Sequence, residues 1–214
     1  MPLGASITYG QGSSDGNGYR KYLRDAIVSG GNQVNMVGTR QAGTMKDNDV
    51  EGWPGYRIDQ IVPKASIAVP KYKPNVVLIN AGTNDAVQNK DIPNAASRME
   101  GMINNIYEDS PDATVILSTL ILNLNANTEK NVQLVNVEYK ALVDRLQGKG
   151  KRIVLADMHG SDGPQKDDMH DETHPNDQGH YKMATIWYRA LVEASKQGFL
   201  VEAEDIGIPD DGAA

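Results

Sequence analysis

No cysteine occurs among the 214 residues, which excludes disulfide cross-links, a thiolate nucleophile and zinc–thiolate centres. The compartment stays open, because a domain of this size can build its core without cross-links. Aromatic residues are scarce: two Trp and one Phe accompany nine Tyr, so the core must rest on Val, Ile, Leu, Met and Ala. Positive charge is short as well, with 21 Lys and Arg against 28 Asp and Glu and a formal net charge of −7. Binding to a nucleic-acid backbone needs a basic patch, and no basic run interleaved with aromatics occurs, so no nucleic-acid partner is expected. No stretch approaches the roughly 18 consecutive apolar residues of a membrane span, and no membrane partner is expected either.

What is present is alternation. Apolar runs of strand length are expected as strands at Met1–Gly4, Val34–Val37, Asn75–Asn80, Thr114–Leu120 and Arg152–Ala156. The third and fourth are nearly all apolar, as strands buried on both faces of a parallel sheet are. Helical spacing marks Tyr19–Val28 (ended by Gly30-Gly31), Ile58–Ala68, Ile92–Tyr107 with Pro93 in its first turn, Val132–Leu146, and Pro175–Gly198 starting on its proline. This order implies one α/β domain over residues 1–200, a three-layer α/β/α sandwich with a five-stranded parallel sheet of flavodoxin-like type. An acidic tail over residues 201–214 follows, with Glu202, Glu204, Asp205, Asp210 and Asp211.

Three motifs fall at strand ends: Gly4-Ala5-Ser6-Ile7-Thr8, Gly82-Thr83-Asn84-Asp85 and Asp171-Glu172-Thr173-His174-Pro175. Open parallel sheets bind ligands beyond the C-terminal ends of their strands, so the three share one rim. A serine hydroxyl becomes a nucleophile when an adjacent base takes its proton. His174 is the candidate base, and Asp171 can hold one ring nitrogen so that the other faces Ser6. The Asn84 side chain can donate to the oxyanion of a tetrahedral ester intermediate, and so can the Gly55 N–H. Each residue also has a plainer explanation: a capping serine, a surface Asp–His pair, an Asn-Asp turn and a turn glycine. The acidic run of Asp157, Asp162, Asp167, Asp168 and Glu172 allows a structural Ca²⁺ site. The other histidines (His159, His170, His180) lack the HExxH spacing of a zinc enzyme. Tyr9, Trp53 and Tyr56 are candidate substrate-binding aromatics, suited to sugar rings as well as acyl chains, with simple covering of the core as the plainer explanation.

Together these residues resemble the SGNH (GDSL-type) hydrolase superfamily, with Ser6, Gly55, Asn84 and His174 matching its four blocks in order. The resemblance runs from end to end and implies Ser6 as nucleophile, His174 as base, Asp171 as its orienter, and an oxyanion hole of Ser6, Gly55 and Asn84. It departs at Ala5, where the family usually carries Asp. Met1-Pro2-Leu3-Gly4 and the Glu51-Gly52-Trp53-Pro54-Gly55-Tyr56 loop are similar to carbohydrate esterase family 3, which implies a secreted serine esterase that deacetylates xylan. The implied partner is an acetylated polysaccharide or small ester, with no required cofactor and a monomeric state. Only three residues precede the first motif, where a whole strand is usual, so a trimmed start and a lost secretion signal are expected. A short- to medium-chain lipid esterase or thioesterase is the alternative on the same machinery. A non-catalytic carbohydrate-binding relative and a Ca²⁺-organised scaffold are alternatives from other classes.

Overall fold

A computed structural model describes residues 1–210 of the chain. Its strands are β1 (Pro2–Gly4), β2 (Arg40–Gln41), β3 (Asp49–Gly52), β4 (Val76–Asn80), β5 (Thr114–Ser118) and β6 (Ile153–Ala156). They form one sheet in the order β2-β3-β1-β4-β5-β6. Five run parallel: Leu3 lies between Glu51 and Ile79, and the register continues through Leu78↔Ile116 and Ile116↔Val154. The edge strand β2 is antiparallel to β3.

Successive strand residues enter opposite cores. Leu3, Val77, Ile79, Val115, Leu117 and Ile153 pack on one side with Ile61 of α3 (Ile58–Tyr72), Met99 of α5 (Ala95–Asp109) and Leu142 of α6 (Ala126–Gly148). Leu78, Ile116 and Val154 pack on the other with Leu23 of α2 (Tyr19–Ser29) and Met183 and Trp187 of α7 (Asp177–Lys196). This is the expected three-layer α/β/α sandwich. Burial on both faces is why β4 and β5 read as unbroken apolar runs.

One strand lies elsewhere than expected. Residues 32–38, which include Val34–Val37, have no regular structure; the Met36 N–H goes to the Asp47 carboxylate at 2.9 Å instead of to a strand. The parallel strand in that place is β3, hidden in the sequence by its acidic residues. Glu51 is fully buried because its carboxylate accepts the Thr39 N–H and hydroxyl (2.7 and 2.8 Å) and the Trp53 indole N–H (2.7 Å). The last helix also starts later than Pro175. The Asn176 side chain caps it by accepting the Gly179 N–H at 3.1 Å, while Pro175 bridges to Met169. The acidic tail is tied to the body: the Val201 carbonyl accepts from Asn75 Nδ2 at 2.8 Å, and Ile208 packs on the first core. Asp211 lies outside the described residues.

Candidate active site

The chain leaves β1 for β2 and β3 on one side and returns to β4 on the other. Such a reversal opens a crevice at the C-terminal strand ends. Ser6 stands there as the first residue of a four-residue helix, α1 (Ser6–Tyr9). Its amide is one of the N–H groups that a helix leaves without an internal partner. Ala5 holds the capping position and contributes no side-chain cap, so the missing Asp is not replaced locally.

His174 and Asp171 arrive from the long connection after β6. His174 Nε2 lies 2.9 Å from Ser6 Oγ, and its Nδ1 lies 2.8 Å from Asp171 Oδ2. Residues 168 apart in sequence thus form one continuous hydrogen-bonded line. The second Asp171 oxygen accepts the backbone N–H groups of Thr173 and His174, both at 2.7 Å. Partial burial pushes the Asp171 carboxyl up, but these N–H groups and the imidazole outweigh it and hold it below the usual carboxylate range. The loop is pinned from outside by Leu124 N–H to the Glu172 carbonyl (2.9 Å) and by Asn123 Nδ2 to Thr173 Oγ1 (3.1 Å).

Asn84 is the second residue of α4 (Thr83–Val87), which begins just past β4. Its Nδ2 donates to the Tyr56 carbonyl at 2.9 Å, which fixes the amide and leaves its second N–H uncommitted. Helices as short as α1 and α4 carry too few turns for periodicity to mark them, and the sequence reading missed both. The neighbouring Asp85 is fully buried. It accepts the Ile58 N–H at the start of α3 (3.0 Å) and pairs with Arg98, a structural role that anchors the loop before α3.

Gly55, one residue before the Tyr56 carbonyl that Asn84 holds, is also required to be glycine by its turn. Pro54 and Gly55 are the central residues of a turn closed by Tyr56 N–H to the Trp53 carbonyl at 3.1 Å, and Gly55 has φ +81°. Its surroundings are open. Gly52, not singled out in the sequence, is the tighter position. It ends β3 opposite Gly4, and a Cβ there would come within 2.8 Å of the Tyr9 backbone nitrogen. Close approach of one backbone to α1 was the signal, and a single sequence does not display it.

Tyr9, Trp53 and Tyr56 do gather on this side of the rim, with Trp53 and Tyr56 ring centroids 5.5 Å apart. The protein itself occupies part of their surface. The Arg40 guanidinium carbon lies 4.7 Å from the ring centres of both Tyr9 and Trp53, and Lys64 Nζ lies 4.2 Å from that of Trp53. Arg40 also donates to the Gly52 carbonyl at 2.9 Å. These cations reach the rings from β2 and α3, which nothing in the local sequence announces.

The acidic residues after β6 disperse to separate partners: Asp157 to Lys140, Asp162 to Arg189, Asp168 to Lys182 and Asp171 to His174. Among the described residues no three His, Asp or Glu converge as a metal cage.

Behind His174, the buried His180 braces the loop after α1 through Nε2 to the Gln11 carbonyl at 3.0 Å. Burial pushes its pKa from 6.5 down to about 4; the Gln11 carbonyl and Asp177 draw it up, and His174 and Arg20 press it further down. Above pH 6.5 the ring is neutral in folded and unfolded chain alike. As pH falls from 6.5 toward 4, the unfolded chain takes a proton that the folded one refuses, so stability declines. Tm measured across this window should fall in the parent and fall less in His180→Gln. Parallel pH profiles for the two proteins would contradict this role.

The GDSL-like Lipase/Acylhydrolase family model matches residues 3–182. A multidomain esterase of Ruminococcus flavefaciens is 28% identical over 218 residues, covering 89% of this chain and 28% of that protein. The chain thus spans under a third of that relative's length. Among solved structures, a Clostridium thermocellum family 3 carbohydrate esterase has a TM-score of 0.82 at 22% identity, covering 92% of this chain and 96% of the other. A carbohydrate esterase family 3 protein from Talaromyces cellulolyticus has a TM-score of 0.80 at 23% identity, covering 92% and 97%. At these identities the likeness establishes the fold.

Proposed function

From the premise that this chain belongs to the GDSL-like lipase/acylhydrolase family, we propose that it is a serine esterase releasing acetyl groups from acetylated carbohydrate such as xylan. The observation that carries the chemistry is the Asp171–His174–Ser6 line, with contacts of 2.8 and 2.9 Å. Ser6 Oγ attacks the acetyl carbonyl carbon while His174 Nε2 takes the hydroxyl proton. Asp171, accepting from Nδ1, steadies the imidazolium that forms. The negative oxygen of the tetrahedral intermediate is held by the Ser6 N–H, the free Asn84 N–H and the Gly55 N–H. Gly55 is taken as that donor, because the carbonyl of its neighbour Tyr56 accepts from Asn84 Nδ2 at 2.9 Å. His174 then passes its proton to the departing sugar oxygen, leaving acetyl-Ser6. Water, deprotonated by His174, attacks the acyl carbon; the bond to Ser6 Oγ breaks, His174 returns the proton to that oxygen, and acetate leaves. All participating groups come from protein, ester and water.

Asn84→Ala should lower kcat by roughly 10²–10³-fold, the usual effect of losing a preorganised oxyanion donor. A kcat within twofold of the parent would remove Asn84 from the hole. The carbohydrate part of the proposal is supported by the cluster of Tyr9, Trp53 and Tyr56 with Arg40 and Lys64 over its rings, which offers a sugar both flat apolar faces and hydrogen-bond donors. A polymeric substrate would also place the enzyme outside the cell. The test is acetate release from acetylated xylan, measured against turnover of 4-nitrophenyl esters of increasing chain length. Acetate release together with a steep fall beyond acetyl is expected. Preference for octanoate with no acetate from xylan would replace this reading with the lipid-esterase one.

A further inference from the structure

A cleft of about 600 Å³ adjoins the catalytic loop, within the roughly 300–1,000 Å³ span of ligand clefts. One wall is the end of α4 and the turn after it. The other is the start of α6 with the segment leading into it. Glu172 and Thr173 also line it, and these are the two residues between Asp171 and His174. Since Asn84 lies in the first turn of α4, both walls of the cleft lead back to the reacting groups.

The lining is dominated by side-chain amides: Asn89, Asn123, Asn125, Asn127 and Asn131. Several are fixed at one end. Asn131 Nδ2 donates to the Ala86 carbonyl (2.9 Å) and to Asn89 Oδ1 (3.2 Å). Asn125 Oδ1 caps α6 by accepting the Asn127 and Thr128 N–H groups at 3.1 and 3.2 Å. The opposite ends, Asn131 Oδ1, Asn89 Nδ2 and Asn125 Nδ2, have no partner among the described residues, and neither does the whole Asn127 side chain. Asn89, Asn125 and Asn127 are exposed, so these ends face solvent in the open cleft, and held amides of this kind complement hydroxyl groups, each of which both donates and accepts. An acyl chain laid over them would strip their water and return no hydrogen bond. Lys130 and Glu172, one charge of each sign, give the cleft no preference for an ion.

We propose that this cleft is a subsite for neutral sugar units adjoining the acetylated one, bound through Asn89, Asn127 and Asn131. The inference rests on the acetylated-carbohydrate reading of the active site. It makes the amides positioning groups for a polymer, outside the acyl-transfer chemistry.

The test compares Asn127→Ala and the Asn127→Ala/Asn131→Ala double variant with the parent on acetylated xylo-oligosaccharide and on 4-nitrophenyl acetate, which is too small to bridge both sites. The ratio of kcat/KM for oligosaccharide to that for the small ester should fall about threefold in the single variant and about tenfold in the double. The change should lie in KM for the oligosaccharide. Asn127 has no bond to maintain, so its single replacement reads the site even if the double variant is unstable. An unchanged ratio, with both rates intact or lowered together, overturns the subsite and leaves the deacetylase reading standing. A parent that hydrolyses 4-nitrophenyl acetate and releases nothing from the oligosaccharide overturns that reading and the subsite with it.

Discussion

Replacing Ser6 with alanine should lower kcat by roughly 10⁶-fold, the scale seen when the nucleophile of a serine triad is lost, while the protein stays folded. The side-chain oxygen of Ser6 has one hydrogen-bond contact among the described residues, to His174 Nε2. Its removal therefore breaks no bond that supports the backbone, and the site stays walled by the same groups. The residual rate would reflect the oxyanion donors acting on bound ester with water as nucleophile. Acetate release and 4-nitrophenyl acetate turnover should vanish together, with Tm within a few degrees of the parent. Retention of several per cent of the rate would show that another group attacks the carbonyl.

Asp171→Asn should lower kcat by roughly 10⁴-fold. The carboxylate has two tasks, shared between its oxygens: one accepts the Thr173 and His174 N–H groups, and the other accepts from His174 Nδ1. Asparagine can keep the first through its Oδ1. It then turns an NH₂ group toward Nδ1, which favours the tautomer protonated at Nε2. That ring can no longer take the Ser6 proton. The loop fold is kept and the base is lost, so kcat should fall with little change in Tm. Asp171→Ala, by contrast, removes both tasks and should also loosen the 171–174 turn. The Asp171 side chain is half exposed, and a loss under tenfold in Asp171→Asn would mean that water can replace the carboxylate.

The parts of this molecule that read directly from sequence are those where neighbouring residues act together. β4 and β5 declare themselves because both faces are buried, and α2, α3 and α5 because one face is. Ser6, Asn84, Asp171 and His174 could be named because each follows a strand and strand ends share a rim. What escaped depends on partners distant in sequence. β3 carries a buried glutamate made tolerable by Thr39 and Trp53, so its pattern looks like a loop. Gly52 matters through the closeness of Tyr9, whereas Gly55 sits in a Pro-Gly signal that any turn would share. Arg40 joins Tyr9 to Trp53 only because β2 folds back on β3. The amide cleft needed α4 and α6 side by side, and its asparagines are unremarkable when read singly.

The most direct test is to mix the parent enzyme with acetylated xylo-oligosaccharide, quench with acid within the first turnover and map the acetyl group by peptide mass. An acetyl on the peptide containing Ser6, formed before free acetate and absent from the Ser6→Ala protein, is the expected result. Acetate appearing while Ser6 never carries an acetyl group would contradict a covalent serine mechanism on this substrate.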